Sequence, residues 1–217
     1  MLHYLFGRAY PAPMDPSAQD QQADRTVRLA VDLVNLRIRL EDAPLDAAVL
    51  RRFLADHGEE PPIRLDEAGA AAIAAVEAEL RAVFDAPGVD AAAGMLNGLL
   101  ERAGNRPRLS DHDGSPWHLH VTDEDASWAD WLAATTGLGL ARLLAEDGTA
   151  RLGRCAAPGC RRVFAGGPRN HRRRYCSPAC GNAARVAAFR ARRRGRTGGR
   201  GTDPVSRPGR QARATGP

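Results

Sequence analysis

The feature that most limits what this chain can fold into is the placement of its cysteines. All four fall within 26 of the 217 residues, as Cys155-x4-Cys160, fifteen residues, then Cys176-x3-Cys180. Two close pairs with a short spacer can bring four thiolates to one tetrahedral ion, and zinc is the usual occupant of a closed four-sulfur site. Two disulfides could use the same residues, but nothing in the sequence indicates export. Four sulfurs leave no open position for water or substrate, so one structural Zn2+ is expected rather than a catalytic one. Pro158 and Gly159 suit a tight turn in the first pair. In the second pair Ser177 is a good helix N-cap and Pro178 a good first helical residue, which puts Cys180 in a helix's first turn. A turn-borne pair facing a helix-start pair predicts a treble-clef-like finger. His171 is the one nearby nitrogen, and with four cysteines present it reads as a surface or phosphate-contacting residue.

Charge divides the chain at the same place. Residues 1–150 hold 13 arginines against 25 acidic residues, a net −12. Residues 151–217 hold 18 arginines against one acid, Asp203, a net +17. There is no lysine, and no carboxylate between Arg154 and Thr202. Such asymmetry points to a polyanion partner for the C-terminal part. The spacer offers Arg161, Arg162, Arg169, Arg172, Arg173 and Arg174, and the helix offers Arg185, Arg190, Arg192, Arg193 and Arg194. Val186 and Phe189, three apart, are expected to hold that helix against the finger. Arginine's planar fork suits phosphate oxygens and can also pair bidentately with guanine.

Cys176-Ser177-Pro178-Ala179-Cys180-Gly181-Asn182 in this arginine-rich setting resembles the CGNR zinc finger, found at the C-terminus of bacterial two-domain proteins. The resemblance implies an N-terminal ABATE domain, stress-induced transcription regulation and nucleic-acid binding. The chain departs from the motif at its fourth letter, Ala183, with an arginine only at Arg185, and Tyr175 stands where tryptophan is common.

The rest reads as mainly α (α+β). Residues 1–23, broken by Pro11, Pro13 and Pro16, read as irregular, and Asp24 as the cap of a first helix whose apolar positions run from Val27 to Ile38. Further helices are expected over Leu45–His57, over Glu67–Phe84 with Asp66 as cap, over Ala91–Ala103, and over Ser127–Ala145. Met95 and Leu138 fall among the bulky apolar residues of the last two. Between Arg106 and Thr122 a period-two pattern predicts a small β-hairpin. The domain boundaries expected are a helical domain over 24–150, a finger with its basic helix over 151–196, and a disordered tail over 197–217. The linker is short enough that the two modules should touch.

His118 and His120 share a strand face and could bind an anion or a metal, which makes them the first place to look for an effector pocket. The plainer reading, favoured here because no third ligand is nearby, has Trp117, Leu119 and Val121 facing the core. Asp32 and Asn35 are the next pocket candidates, and polar residues so placed most often face solvent. No nucleotide-binding, nucleophile-elbow or zinc-protease motif occurs, so no enzyme is expected. The opening residues make a poor signal peptide and no apolar run would span a bilayer, so a cytoplasmic, membrane-free protein is expected. The expected function is a DNA-binding transcription regulator, with a homodimer left open, whose N-terminal domain senses an unidentified effector or mediates assembly. RNA binding and docking of the basic part on the acidic part stay open.

Overall fold

The computed structural model describes residues 16–104, 108–110, 118–123, 125–166 and 173–197; the side chains of 16–24, 110, 118–120, 150 and 194–197 are outside the description. Four helices come first: α1 (Pro16–Arg39), α2 (Ala47–Asp56), α3 (Glu67–Phe84) and α4 (Val89–Arg102). A short hairpin of β1 (Arg108–Ser110) and β2 (His118–His120) leads to α5 (Trp128–Asp147). A single 3₁₀ turn, Gly148–Arg151, then feeds a second hairpin of β3 (Leu152–Arg154) and β4 (Val163–Ala165), and α6 (Pro178–Thr197) ends the described chain.

The helices begin where side chains satisfy their orphan N–H groups. Asp46 accepts from Val49 N and Asp66 from Gly69 N, both at 2.8 Å, and Ser127 Oγ accepts from Asp130 N at 3.1 Å. The expected α3 is found with its expected cap. α1 differs: it begins at Pro16, so Asp24 lies inside it rather than at its start. A proline at the first helical position loses no hydrogen bond, so Pro16 opens the helix instead of breaking it. The segment ahead of Pro16 is outside the described residues.

α5 is the central element and packs against α1, α3 and α4. Its buried residues run all round it, including Leu132, Ala134, Thr136, Leu140 and Leu144. Small residues set how closely its neighbours come. A Cβ at Gly139 would lie 2.2 Å from Thr26 Oγ1 and 3.2 Å from the Val27 backbone nitrogen, so α1 approaches here only because that position is glycine. Leu33, Leu50, Leu54, Ile73, Leu80 and Leu96 complete a core that is almost wholly water-free. Met95 and Leu138, expected among the apolar faces, lie instead toward solvent at 40% and 41% exposure.

The expected first hairpin is present, antiparallel, with Arg108 opposite His120 and Ser110 opposite His118. Which way Trp117 and the two histidines point is outside the described residues. In the second hairpin Leu152 pairs with Ala165 and Arg154 with Val163. Its β4 lies on α1, and Val163, fully buried, belongs to the same hydrophobic cluster as the helices. Among the described residues no helix is long and apolar enough to cross a membrane.

Candidate metal centre and nucleic-acid interface

The first cysteine pair is carried by the turn between β3 and β4. Cys155 N–H donates to Arg162 O (2.8 Å) and Cys160 N–H to Ala157 O (3.0 Å), closing a turn in which Gly159 has φ +74°. A left-handed residue is needed there, and glycine takes that conformation without a Cβ clash. The second pair sits at the start of α6, where Ser177 Oγ accepts from Cys180 N (3.2 Å). Cys176 N–H points back at Cys155 Sγ (3.4 Å). The four sulfurs all lie within 4.8 Å of one another. Among Cys160, Cys176 and Cys180 the separations are 3.6, 3.8 and 3.9 Å.

Those distances are a test of the donor set. Bonds of about 2.3 Å to a tetrahedral zinc place sulfurs ~3.8 Å apart, whereas a disulfide needs about 2.05 Å. The four cysteines are free thiols with zinc spacing. Without a cation the cluster is electrostatically frustrated: burial, then the three neighbouring sulfurs, push the Cys176 thiol up to about 12. Burial also works against the Cys155 thiolate, but N–H groups from Cys176 and Ala157, together with hydrogen bonds from the Cys160 and Cys176 thiols, outweigh it and bring that thiol down to about 7. Cys155, Cys160, Cys176 and Cys180 would hold one structural zinc, which closes the fold of a segment whose own core is small.

Beyond its first turn α6 stands away from the finger. Residues 182–193 are exposed except at 184, and Val186 and Phe189 are 47% and 54% accessible. The expected packing of that pair against the finger is therefore not found. The two side chains lie on a solvent-facing side of the helix, and Arg193 sits over the Phe189 ring at 5.9 Å. Arg185, Arg190 and Arg192 are exposed and make no ion pair with a described carboxylate. At the root of α6, Arg174, Tyr175, Pro178 and Arg185 line a shallow groove of about 440 Å³.

Two family models cover nearly all of the described chain. ABATE, described as "Putative stress-induced transcription regulator", matches residues 27–147, and the CGNR zinc finger matches 151–193. The chain belongs to the ABATE family. No curated protein matches it. The ABATE match ends just before the 3₁₀ turn, and the CGNR match begins at the turn's last residue, Arg151. Where the CGNR motif's arginine would stand, this ABATE protein has Ala183, and Arg185 turns back to donate to Asn182 Oδ1.

Not every arginine of the finger is available to a partner. Arg173 is a structural strut: its guanidinium donates to Cys176 O (2.8 Å), Tyr175 O (3.2 Å) and Ala165 O (3.3 Å), and lies 5.1 Å over the Phe164 ring. Arg161 pairs with Asp42 of the ABATE domain. Arg162 and Arg174 are exposed, Arg174 at 5.9 Å over Tyr175. Arg169, Arg172 and His171 are outside the described residues, as is the Arg194 side chain.

The ABATE domain and the finger meet along a seam that the sequence barely advertised. Asn35, a pocket candidate whose plainer reading faced solvent, is buried and pairs both edges of its amide with Val163: Nδ2 donates to Val163 O (3.1 Å) and Oδ1 accepts from Val163 N (3.0 Å). One side chain of α1 thus acts as a strand partner for β4. At the rim Arg154 forks onto Asp85, one arm at 2.6 Å. Asp42 bridges Arg161 and Arg81 (3.2 Å to the latter), and Arg81 reaches the buried Glu77 at 2.7 Å. Arg161, then Arg81, hold Asp42 below the usual carboxylate range, and Arg154 does the same for Asp85. Glu41 and Asp42 have φ of 52° and 64°, unfavourable for side chains with a Cβ. That strained turn is what aims Asp42 at the finger. Asp32 accepts from His57 Nε2 at 3.3 Å. The backbone of His118 and His120 is paired in the hairpin, with no described side-chain geometry for a pocket.

Proposed function

We propose that this ABATE protein is a cytoplasmic transcription regulator that grips duplex DNA through α6, with its zinc fixing the direction in which the helix leaves the finger. The observation that carries the reading is α6 itself: an arginine-bearing helix exposed over Asn182 to Arg193 except at residue 184, with Val186 and Phe189 outward and Arg185, Arg190 and Arg192 in no ion pair with a described carboxylate. Like charges on one helix repel, and a phosphate backbone relieves that repulsion. Arg190, Arg192 and Arg193 would take phosphate oxygens or guanine edges, while Val186 and Phe189 would meet apolar base edges such as thymine methyls. Arg174 and Arg185, at the root groove, would fix register. The family's description as a transcription regulator agrees with this role. The ABATE half would sense a signal or assemble a homodimer, and no catalytic role is assigned to either half.

RNA is the second reading, favoured by one feature. Tyr175 lies half-buried in the root groove between Arg174 and Arg185, where a single unstacked base could rest on its ring. Competition between duplex DNA, duplex RNA and single strands separates the two readings.

Arg161 and Arg173 are engaged inside the protein; with about six of the other arginines on phosphates, the log–log dependence of affinity on salt should slope near about −5. Arg190→Gln with Arg192→Gln should flatten that slope by about two. Affinity that ignores salt would overturn the proposal.

A further inference from the structure

Between α1 and the finger lies a cleft of about 510 Å³, within the range of small-molecule sites. We propose that it binds a small phosphate-bearing molecule that bridges the ABATE domain and the finger. Arg28, Asp32, Asn35 and Arg39 line it from one face of α1, at i, i+4, i+7 and i+11. Arg162 and Ser177 line it from the finger. Arg28, Arg39 and Arg162 are exposed and make no ion pair with a described carboxylate, although the domain that carries the first two is rich in acid. The one carboxylate among these residues, Asp32, is engaged by His57. Asn35 has spent its amide on Val163, and Arg173, also at the cleft, has spent its fork on carbonyls. Arg28, Arg39 and Arg162 are left as the cationic lining of the cleft.

The start of the 20-residue α6 adds its positive end beside Ser177. Val31 and Phe164 give the cleft apolar wall, which suits a ligand with an organic body as well as its phosphates. A space of this volume takes a nucleotide-sized molecule and not a duplex. Because Arg28 and Arg39 belong to one module and Arg162 and Ser177 to the other, a bound phosphate draws the two together and reports on the direction of α6. Binding in the cleft does not depend on the DNA reading. Only the regulatory consequence rests on it.

The test is calorimetric titration of the full-length, zinc-loaded protein with inorganic pyrophosphate at constant ionic strength. Saturable binding of one pyrophosphate per chain is expected. Arg28→Gln with Arg39→Gln should weaken it at least about tenfold, the loss of a charge-assisted contact, while Arg190→Gln with Arg192→Gln leaves it unchanged. Circular dichroism of each variant checks that the fold is retained. Absence of saturable binding, or equal weakening by both pairs, overturns the proposal. It is likewise overturned if the Arg28/Arg39 pair lowers duplex affinity as much as the Arg190/Arg192 pair does but leaves pyrophosphate binding intact. Pyrophosphate binding that behaves as expected in a protein that ignores DNA would sink the proposed function and leave the cleft standing.

Discussion

The ABATE domain and the finger hold themselves together by different means. The first buries Leu33, Leu50, Leu80, Leu132 and Leu140 around a central helix, and its surface charges pair locally, as Arg142 does with Glu146 and Arg52 with Asp56. The finger buries little beyond Cys155, Ala157, Val163 and Phe164, and Val163 is shared with the helical core. α6 goes further, with neither a core nor a metal over most of its ~30 Å. It relies on alanine and arginine, both strong helix formers, and on being anchored at one end by zinc. A region built this way gives up packing to keep its side chains free for a partner. The comparison separates a part made to be stable from a part made to be presented.

Metal removal should break that contrast most sharply. Structural zinc in small fingers is worth on the order of 10–16 kcal/mol near neutral pH, far more than the few buried residues of this finger can supply. Chelation, or Cys176→Ala, should unfold the finger and abolish DNA retention while α1 to α5 stay folded. The helical part should still lose some stability, since Val163 leaves its core and burial of one such side chain is worth ~1.5–3 kcal/mol. Hydrogen exchange on both halves reads this directly. Protected amides in β3 and β4 after chelation would remove zinc from its structural role.

A smaller effect is expected at the seam, and it distinguishes buried from exposed coupling. Asn35→Ala leaves the buried N–H and C=O of Val163 without their partners, at a cost on the order of 3 kcal/mol. Arg154→Ala removes a pair that is 38% and 44% exposed on its two side chains, and should cost under ~1 kcal/mol. Thermal or urea unfolding of the two variants measures both. If they cost the same, the seam is held by charge and not by the amide.

The parts that were legible in the sequence are those governed by neighbours in the chain. Asp66 announced its helix because a cap and its N–H are three residues apart. The cysteine spacing announced the metal centre because a turn and a helix start can be recognised locally. What could not be seen needed a distant partner. Asn35 and Val163 are 128 residues apart, and an amide within an apolar helix looks the same whether it faces water or a strand. Val186 and Phe189 show the converse: three-residue spacing marks a common face, but only the fold reveals that both side chains are left about half exposed. The start of α1 was hidden because its first turns lack apolar periodicity, and Pro16 was read as a breaker when it is an opener. Arg28 and Arg39 carried no local signal at all, and they gained meaning only once β4 was laid across α1.

The gentlest expected effect lies with His57, on the α1 side of the same seam. Its Nδ1 faces Phe53 O at 2.8 Å and its Nε2 faces Asp32 at 3.3 Å, so both nitrogens meet acceptors and the doubly protonated ring fits best. The Asp32 carboxylate, against the opposing effect of burial, raises its pKa above the ordinary 6.5. A raised folded-state pKa contributes stability that is complete below 6.5 and lost as pH climbs through the folded value. Asp42 and Asp85 act in the opposite sense, because their lowered values stabilise above 3.8 and lose that contribution in acid. Burial raises the Glu59 pKa above 4.5 and so lowers stability somewhat as pH climbs from there, and a further modest decline is expected on the alkaline side of 6.5. His57→Gln should abolish that decline and leave the acid limb unchanged, whereas an alkaline decline surviving in this variant would assign it to another group. Because Asp32 also lines the cleft, pyrophosphate binding should weaken along the same limb, as the carboxylate loses the cation that neutralises it.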